Sequence, residues 1–575
     1  MNSLLLILIV LSGYIIAYKT YGKYLGRKIF NIMSGNKMPS HTFKDGVDFV
    51  PTRKHIVFGH HFTTIAGLGP IVGPAIGIIW GWGPALIWIF FGSVFMGAVH
   101  DFSTLIISAR NEGKSIGDLT GIFIGPLPKY AFHLIIQFLL FIVLAVFALT
   151  VSTLFILYPE SVIPVWSQIP IAVFLGYLLN QGKNEILYSI LALMLMYGSI
   201  IAGIAFPVDL SDLLHVNISR ENETVLWCIL LFIYVFIAST LPVHRLLQPR
   251  DYINSQQLFI AIILILAGIV IFHPQITAPV INSRAFSETS DVPGIFPAMF
   301  IIIACGAISG FHSIASTGTT VKQINNEKDT LPVGYGSMLT EGFLAVLVLM
   351  CIAAGLGLKE SGAFQKYYSG FYESYSAASK GIGPKIQSFI IGAANFLEGI
   401  KINSKIGQPM IAVFIISFAN TTLDSAARMQ RLSFQEMIPV RKNSNINKLF
   451  RNRYVATFIV VICAAALTFM EPGGTGAMVL WPLFGALNQL LAALGLAIVS
   501  IFLFRNGKNV FIALLPMLFI LIMTIWSIVT SIFGFINDNK YLLVVISSII
   551  LALTAFLLIS CILTYINNRK NKIKI

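Results

Sequence analysis

Apolar residues along this chain fall in runs of about twenty, the length a helix needs to cross the hydrocarbon core of a bilayer. Short polar stretches part the runs. They predict helices at about 2–19, 62–80, 84–109, 131–157, 161–180, 185–206, 224–241, 256–273, 295–317, 338–357, 405–424, 455–470, 478–504, 509–535 and 541–567. The fold class is therefore an all-α polytopic membrane protein with about 15 transmembrane helices. The longest polar stretches, Lys19–His55, Lys359–Lys385 and Arg428–Arg453, read as loops or short surface helices, and none is long enough for a second domain. Ile386–Ile400 is apolar enough for a short helix but carries Glu398 and is followed by Lys401. Counting it as a span would invert everything downstream, so it is expected to lie on, or dip into, the outer face.

Composition sharpens this picture. Of 575 residues, 56% are hydrophobic and only 11% charged, where a soluble protein carries about a quarter charged; mean hydropathy is +0.83. A net charge of +14 invites a nucleic-acid reading, but Lys and Arg cluster at alternate ends of the apolar runs. With the N-terminus outside, the basic loops at 19–54, 110–129, 244–251, 322–328, 428–453 and 505–508 and the tail 569–574 all fall on the cytoplasmic side, while the acid-rich Asp209–Glu223 falls opposite. The orientation is N-out and C-in, in the cytoplasmic membrane. Asn2–Tyr18 lacks a basic leader and a small-residue cleavage site and reads as a retained helix. The five cysteines all sit inside apolar runs, which indicates neither a disulfide framework nor a zinc site.

Three runs depart from bilayer filler. Gly67–Gly77 places Pro70 and Pro74 four apart in mid-span, with glycines at 67, 69, 73 and 77. Each proline removes a backbone donor, and irregular backbone at membrane depth survives only where it is buried in protein or lines a cavity. Such a break in a secondary transporter exposes helix ends that bind carboxylates and cations; the plainer alternative is a kinked packing face of small residues. In Trp82–Ala109, Ser93, Gly97, Asp101, Thr104 and Ser108 share one face, with His100 beside Asp101. A carboxylate about two turns inside the bilayer must face the bundle interior, as a proton carrier or cation ligand, or else as a hydrogen-bonded hub. In Gly306–Thr320, Ser309, Ser313, Ser316 or Thr317, and Thr320 form a hydroxyl stripe suited to Na⁺, to a hydrated substrate, or to helix packing alone.

Nearer the inner surface, Ser417, Asn420, Thr421, Asp424 and Arg428 share a face, and Asp424 and Arg428 are spaced for an i, i+4 pair that would serve as an inner gate. Glu341 can relay protons or rest at the interface. His60 and His61 lead into the Gly67–Gly77 break. Adjacent helical residues point about 100° apart and nothing completes a ligand set, so no metal is expected and a hydrogen-bonded cap or pH-sensitive latch is preferred.

At these motifs the chain resembles the carbon starvation protein A family. The matching stretches are Phe58–Phe62 leading into Gly67–Gly77, Gly97–Phe102, Leu241–Asp251, Ala304–Thr320, Gly334–Gly336 with Glu341-Gly342, Thr421–Asp424, and Trp481–Gly485 with Asn488-Gln489. The resemblance implies uptake of peptides or pyruvate under carbon limitation, with proton symport the better supported coupling. It also implies the amino acid–polyamine–cation superfamily, whose LeuT-like core is two inverted five-helix repeats. That core maps onto 62–424, after an N-terminal helix and loop (1–61) and before a loop and four C-terminal helices (425–575). It asks for a second broken helix near Trp227–Leu241, where the sequence shows only Pro242.

The function expected is secondary active uptake of a small organic nutrient, without cofactor, nucleic acid or enzymatic chemistry. Gly67, Gly69, Pro70, Gly73, Pro74, Ser309 and Ser313 are the candidate substrate residues. Asp101, His100, Ser316, Thr317 and Glu341 are candidates for handling the coupling ion, H⁺ or alternatively Na⁺. No arginine stands in mid-span to meet a substrate carboxylate, so its charge is expected to meet backbone N–H groups at the Gly67–Gly77 break. Ser309-Gly310 beside His312 hints at a hydrolase, but one helix does not give nucleophile–base geometry. A nutrient sensor would need a partner to supply its output domain.

Overall fold

The computed structural model describes residues 2–33, 35–283, 292–358, 383–439 and 445–573. Most of the expected polar stretch 359–385, part of that at 428–453, and residues 574 and 575 of the basic tail lie outside them. Regular structure among the described residues is helical, apart from isolated bridges at Asn2–Gln275 and Thr52–Ile324. The helices are α1 (Ser3–Ile29), α2 (Lys54–Ile65), α3 (Gly69–Trp80), α4 (Trp82–Arg110), α5 (Ile116–Phe123), α6 (Pro126–Leu157), α7 (Pro159–Asn180), α8 (Glu185–Ala205), α9 (Arg220–Thr240), α10 (Leu247–Phe272), α11 (Ile295–Ile302), α12 (Gly310–Gly318), α13 (Glu327–Gly355), α14 (Gly383–Glu398), α15 (Ser404–Met437), α16 (Arg453–Thr468), α17 (Pro472–Arg505), α18 (Phe511–Asn537) and α19 (Tyr541–Arg569).

Twelve of these are long and apolar enough to cross a membrane, and the pair α2 and α3, bent by 46°, makes a thirteenth. The protein is thus a multi-pass membrane protein, though two of the fifteen expected spans take another form. The run at 295–317 is two short helices with irregular backbone between them, and α16 has only 16 residues. The apolar windows of α13 and α15 are 94% buried, against 28% for α8 and α19. The former pair are central posts, and the latter present Leu, Ile and Phe outward as a lipid-facing helix does.

Two local expectations need correction. Residues 386–400 do not lie on the outer face as a surface helix; of the two placements expected, burial leaves only a helix sunk into the bundle. Ile386, Phe389, Ile390, Ala393, Phe396 and Leu397 of α14 are fully buried, because small residues let the helix pack tightly. A Cβ at Gly392 would stand 2.1 Å from the Cys351 carbonyl oxygen. Residues 428–437 are not loop either. Helix α15 starts at the Asn403 cap and runs unbroken to Met437, burying Arg428 and Arg431.

Candidate functional site

The break between α2 and α3 is built as its sequence suggests, with one refinement. Helix α2 ends at Ile65, and Ala66–Leu68 depart from helix before Gly69 opens α3. Pro70 stands in the first turn, where a missing N–H costs nothing. Pro74 lies inside the helix and withholds the donor that would bond the Pro70 carbonyl.

A second break lies against the first, in a place not expected. Helix α9 is continuous through 227–240, whereas Ile303–Ser309 interrupts the chain between α11 and α12. The glycines of α3 face this segment. A Cβ at Gly69 would stand 2.3 Å from Cys305 Cβ, one at Gly73 would stand 2.9 Å from the Ile302 oxygen, and one at Gly77 would stand 2.4 Å from Ile303 Cδ1. Only glycine lets the two backbones approach so closely. Helix α17 holds the second break in place. Asn488 Oδ1 accepts from Ser309 Oγ at 3.1 Å and from the Phe311 N–H at 2.9 Å, and Asn488 Nδ2 donates to Cys305 Sγ at 3.4 Å.

A cavity of about 370 Å³ opens where the breaks meet. Gly69 and Gly73 line it from α3, Ala304 and Cys305 from the second break, Trp481 and Gly485 from α17, and Lys385 from the start of α14. Three of these contributions come from outside the expected binding set. Ala304 and Cys305 belong to the second break, Trp481 and Gly485 fall in the region 425–575, beyond the expected transport core, and Lys385 stands at the end of the polar stretch expected at 359–385. Of the other expected substrate residues, Gly67 packs against Thr422 and Phe147, Ser309 is held by Asn488, and Ser313 donates to the Gly310 carbonyl at 2.7 Å.

The coupling candidates converge through a residue the sequence reading had assigned no transport role. His312, on α12, places Nδ1 2.8 Å from Asp101 Oδ2 and Nε2 3.4 Å from Glu341 Oε2. His100 Nδ1 lies 2.9 Å from Asp101 Oδ1. All four side chains are fully buried. Helix α17 also makes room for His100, since a Cβ at Gly495 would approach its Nε2 to 2.8 Å. An imidazole between two carboxylates can gain a proton at one nitrogen and lose one at the other. Ser316 Oγ is buried without a hydrogen-bond partner among the described residues. Thr317 Oγ1 is committed to the backbone, accepting from the Ile116 N–H at 2.9 Å and donating to the Ser313 carbonyl at 2.7 Å.

The expected Asp424–Arg428 pair is replaced by two others. Asp424 accepts from Arg250 Nη1 and, at 2.6 Å, from Tyr234 Oη. Arg250 itself is fully buried in the first turn of α10, not in a cytoplasmic loop, and it also donates to Gln168 Oε1 at 3.1 Å. Its neighbour Asp251 pairs with His60. Arg428 turns away, to Asp48 at 2.7 Å and to the Leu241 carbonyl. Spacing permits an i, i+4 pair but does not force one when better-oriented partners stand on neighbouring segments. In the loop outside the spans, burial raises the Asp48 carboxyl, but Arg428, Arg431 and Lys322 outweigh it and hold it below its usual value of 3.8.

Residues 2–365 and 359–527 match the profile described as carbon starvation protein CstA. The peptide transporter CstA of Campylobacter jejuni is 32% identical over 94% of this chain and 82% of its own length. The pyruvate/proton symporter BtsT of Escherichia coli is 29% identical over 93% of this chain and 82% of its own. Among solved structures, MhsT in complex with L-phenylalanine aligns over 89% of this chain and 98% of its own, at 12% identity and a TM-score of 0.44.

Proposed function

This chain belongs to the carbon starvation protein CstA family, and from that premise we propose that it carries a small organic nutrient, a peptide or pyruvate, into the cell together with protons. The observation that carries the reading is the cavity between the two helix breaks, with the chain Glu341, His312, Asp101 and His100 buried nearby on helices that meet those breaks. His312 ties the two features together: it follows the second break by three residues, on a helix that packs against α2, which ends at the first. A proton gained or lost on this chain changes contacts at both breaks at once, as coupling requires.

In this reading the substrate enters from outside, the segments bearing the breaks move against α6, α15 and the other central posts, and substrate and proton leave inward. The orientation is N-terminus outside and C-terminus inside, as the loop charges require. The two breaks adjoin, but six spans separate them in sequence where a five-helix repeat calls for four, so the 295–318 segment is not the second broken helix of such a repeat. Protons are favoured over sodium because Thr317 is already bonded to backbone, while the histidine between two carboxylates suits a proton.

Energetics set what coupling can achieve. One proton carried with a monoanion moves no net charge, so the pH gradient alone drives it, at about tenfold accumulation per pH unit. Purified protein in liposomes, given labelled pyruvate or a labelled dipeptide under an inward proton gradient with and without sodium, tests the reading. Accumulation of either compound that needs the proton gradient and not sodium supports it. Absence of uptake under every gradient refutes it.

A further inference from the structure

We infer that Asp118, His133 and Glu436 form a binding site for a divalent transition-metal ion such as Zn²⁺, on the side that the basic loops mark as cytoplasmic. They come from the short helix α5, from near the start of α6 and from the last turn of α15, and each offers a ligand atom within 4.8 Å of the other two. Two carboxylates and an imidazole are a donor set such ions take, whereas Ca²⁺ and Mg²⁺ prefer oxygen alone. One distance carries the reading. His133 Nε2 stands 3.7 Å from Glu436 Oε2, too far for a hydrogen bond. Two ligands of one tetrahedral ion, each about 2.1 Å from it, stand about 3.4 Å apart. The His133 ring is fully buried, and its Nε2 has no hydrogen-bond partner among the described residues. A buried polar atom left unpaired is costly, and a metal ion takes up its lone pair. Asp118 and Glu436 are half-buried, which leaves the ion a path from water.

The surroundings orient these ligands. His133 Nδ1 lies 2.8 Å from Ser433 Oγ, and a proton donated there leaves Nε2 bare, as the outer partner of a ligating histidine does. Gly117 lets α5 close over the ring, since a Cβ there would stand 2.5 Å from Nε2, and this brings the next residue, Asp118, to the site. Ser115 donates to Glu436 Oε2 and accepts from the Asp118 N–H at 3.2 Å. One hydroxyl thus orients one ligand and caps the helix that carries another. A cation already competes, for Lys129 Nζ lies 2.5 Å from Asp118 Oδ1. Its side chain is 26% exposed and can swing into water when a doubly charged ion arrives. Thr317 of α12 accepts from the Ile116 N–H of α5 at 2.9 Å. A bound ion therefore ties α5, and with it the helix bearing His312, to α6 and α15.

The test is calorimetric titration with Zn²⁺ of the purified full chain, stripped by chelator and free of any affinity tag. One equivalent should saturate the unmodified protein at micromolar Zn²⁺. His133→Gln should weaken binding about tenfold or more, since loss of even an outer-shell partner costs that much. Lys129→Gln removes the competing ammonium and should tighten binding by roughly twofold to fivefold, the worth of a partly exposed ion pair. Hydrogen exchange of the α5 amides should slow when Zn²⁺ is added to the unmodified protein, and not in His133→Gln. Absence of the single equivalent, equal affinity in His133→Gln, or a Lys129→Gln protein that binds no better overturns the site. Binding without slowed exchange overturns the tie between the helices. The Lys129→Gln measurement decides where His133→Gln does not fold. None of these readouts involves transport, so their failure leaves the carrier reading standing.

Discussion

His312 places its Nδ1 2.8 Å from Asp101 Oδ2, joining α12, which follows one helix break, to a carboxylate on the continuous helix α4. Glu341 on α13 faces the other nitrogen of the same ring at 3.4 Å. Three helices are therefore linked through one imidazole with no exposure to solvent. Such a ring carries either one proton or two, and the count decides which carboxylate it attracts.

Removing the charge of Asp101 should uncouple the carrier. In liposomes with an imposed gradient of one pH unit, the unmodified protein should hold about tenfold accumulated pyruvate, and Asp101→Asn should fall to equilibration without accumulation. His312→Gln, which cannot take up a proton, should do the same. Accumulation by Asp101→Asn equal to that of the unmodified protein would reduce the carboxylate to a hydrogen-bonded hub. A membrane potential imposed alone should not drive pyruvate if one proton accompanies it.

The approach of the two breaks should be sensitive to a single methyl group. Gly69→Ala brings a Cβ to 2.3 Å from Cys305 Cβ, an overpacking that costs about 1–3 kcal/mol. Cys305→Gly in the same chain removes the opposing atom and should restore most of the melting temperature in detergent. Gly73→Ala meets the Ile302 backbone oxygen instead, and Cys305→Gly should not rescue it. Equal rescue of both would mean that the helices simply move apart.

Much of this was legible in the sequence, and what was missed shares a cause. The Gly67–Gly77 break announced itself because Gly and Pro mark broken backbone directly. The break at 303–309 has Gly306 but no proline, so an apolar run such as 295–317 passes for a plain span. The ordinal position of the second break in a five-helix repeat points instead to 227–241. Asp101 stands out as an acid in an apolar run, whereas its partnership with His312 across 211 residues leaves no periodic trace. Arg250 and Lys385 were assigned to loops for the same reason. Polar residues at the end of an apolar run look like surface until neighbouring helices bury them. Local spacing suggested Asp424 with Arg428, and tertiary packing chose Arg250.

That choice can be measured. Asp424→Asn leaves Arg250 charged, fully buried and short of a counter-ion, which should cost about 3–5 kcal/mol. Pairing it with Arg250→Met should recover a large part of the loss, giving strong coupling in a double-mutant cycle. Asp424→Asn combined with Arg428→Met should instead be additive within about 0.5 kcal/mol, because the two residues have separate partners. Reversed results, with Arg428 coupled and Arg250 additive, would restore the i, i+4 pair.

The Asp48 latch gives the last prediction, in pH. Asp48 joins the loop before α2 to Arg428 at 2.7 Å and Arg431 at 3.6 Å on α15, and its carboxyl is held below 3.8 when folded. A carboxyl whose folded value lies below its unfolded value contributes stability that is fully present above the unfolded value. That contribution is lost as pH falls through the folded one. The gap in melting temperature between the unmodified protein and Asp48→Asn should therefore stay constant from pH 8 to about 5 and close only below about pH 4. High salt should narrow the gap only partly, because the carboxylate is mostly buried and exposed charges are the ones screened most. Melting curves in detergent across this range decide the matter. A gap that closed near pH 6 would place control in a group other than Asp48, and a gap absent at every pH would mean that Arg428 is held by the Leu241 carbonyl alone.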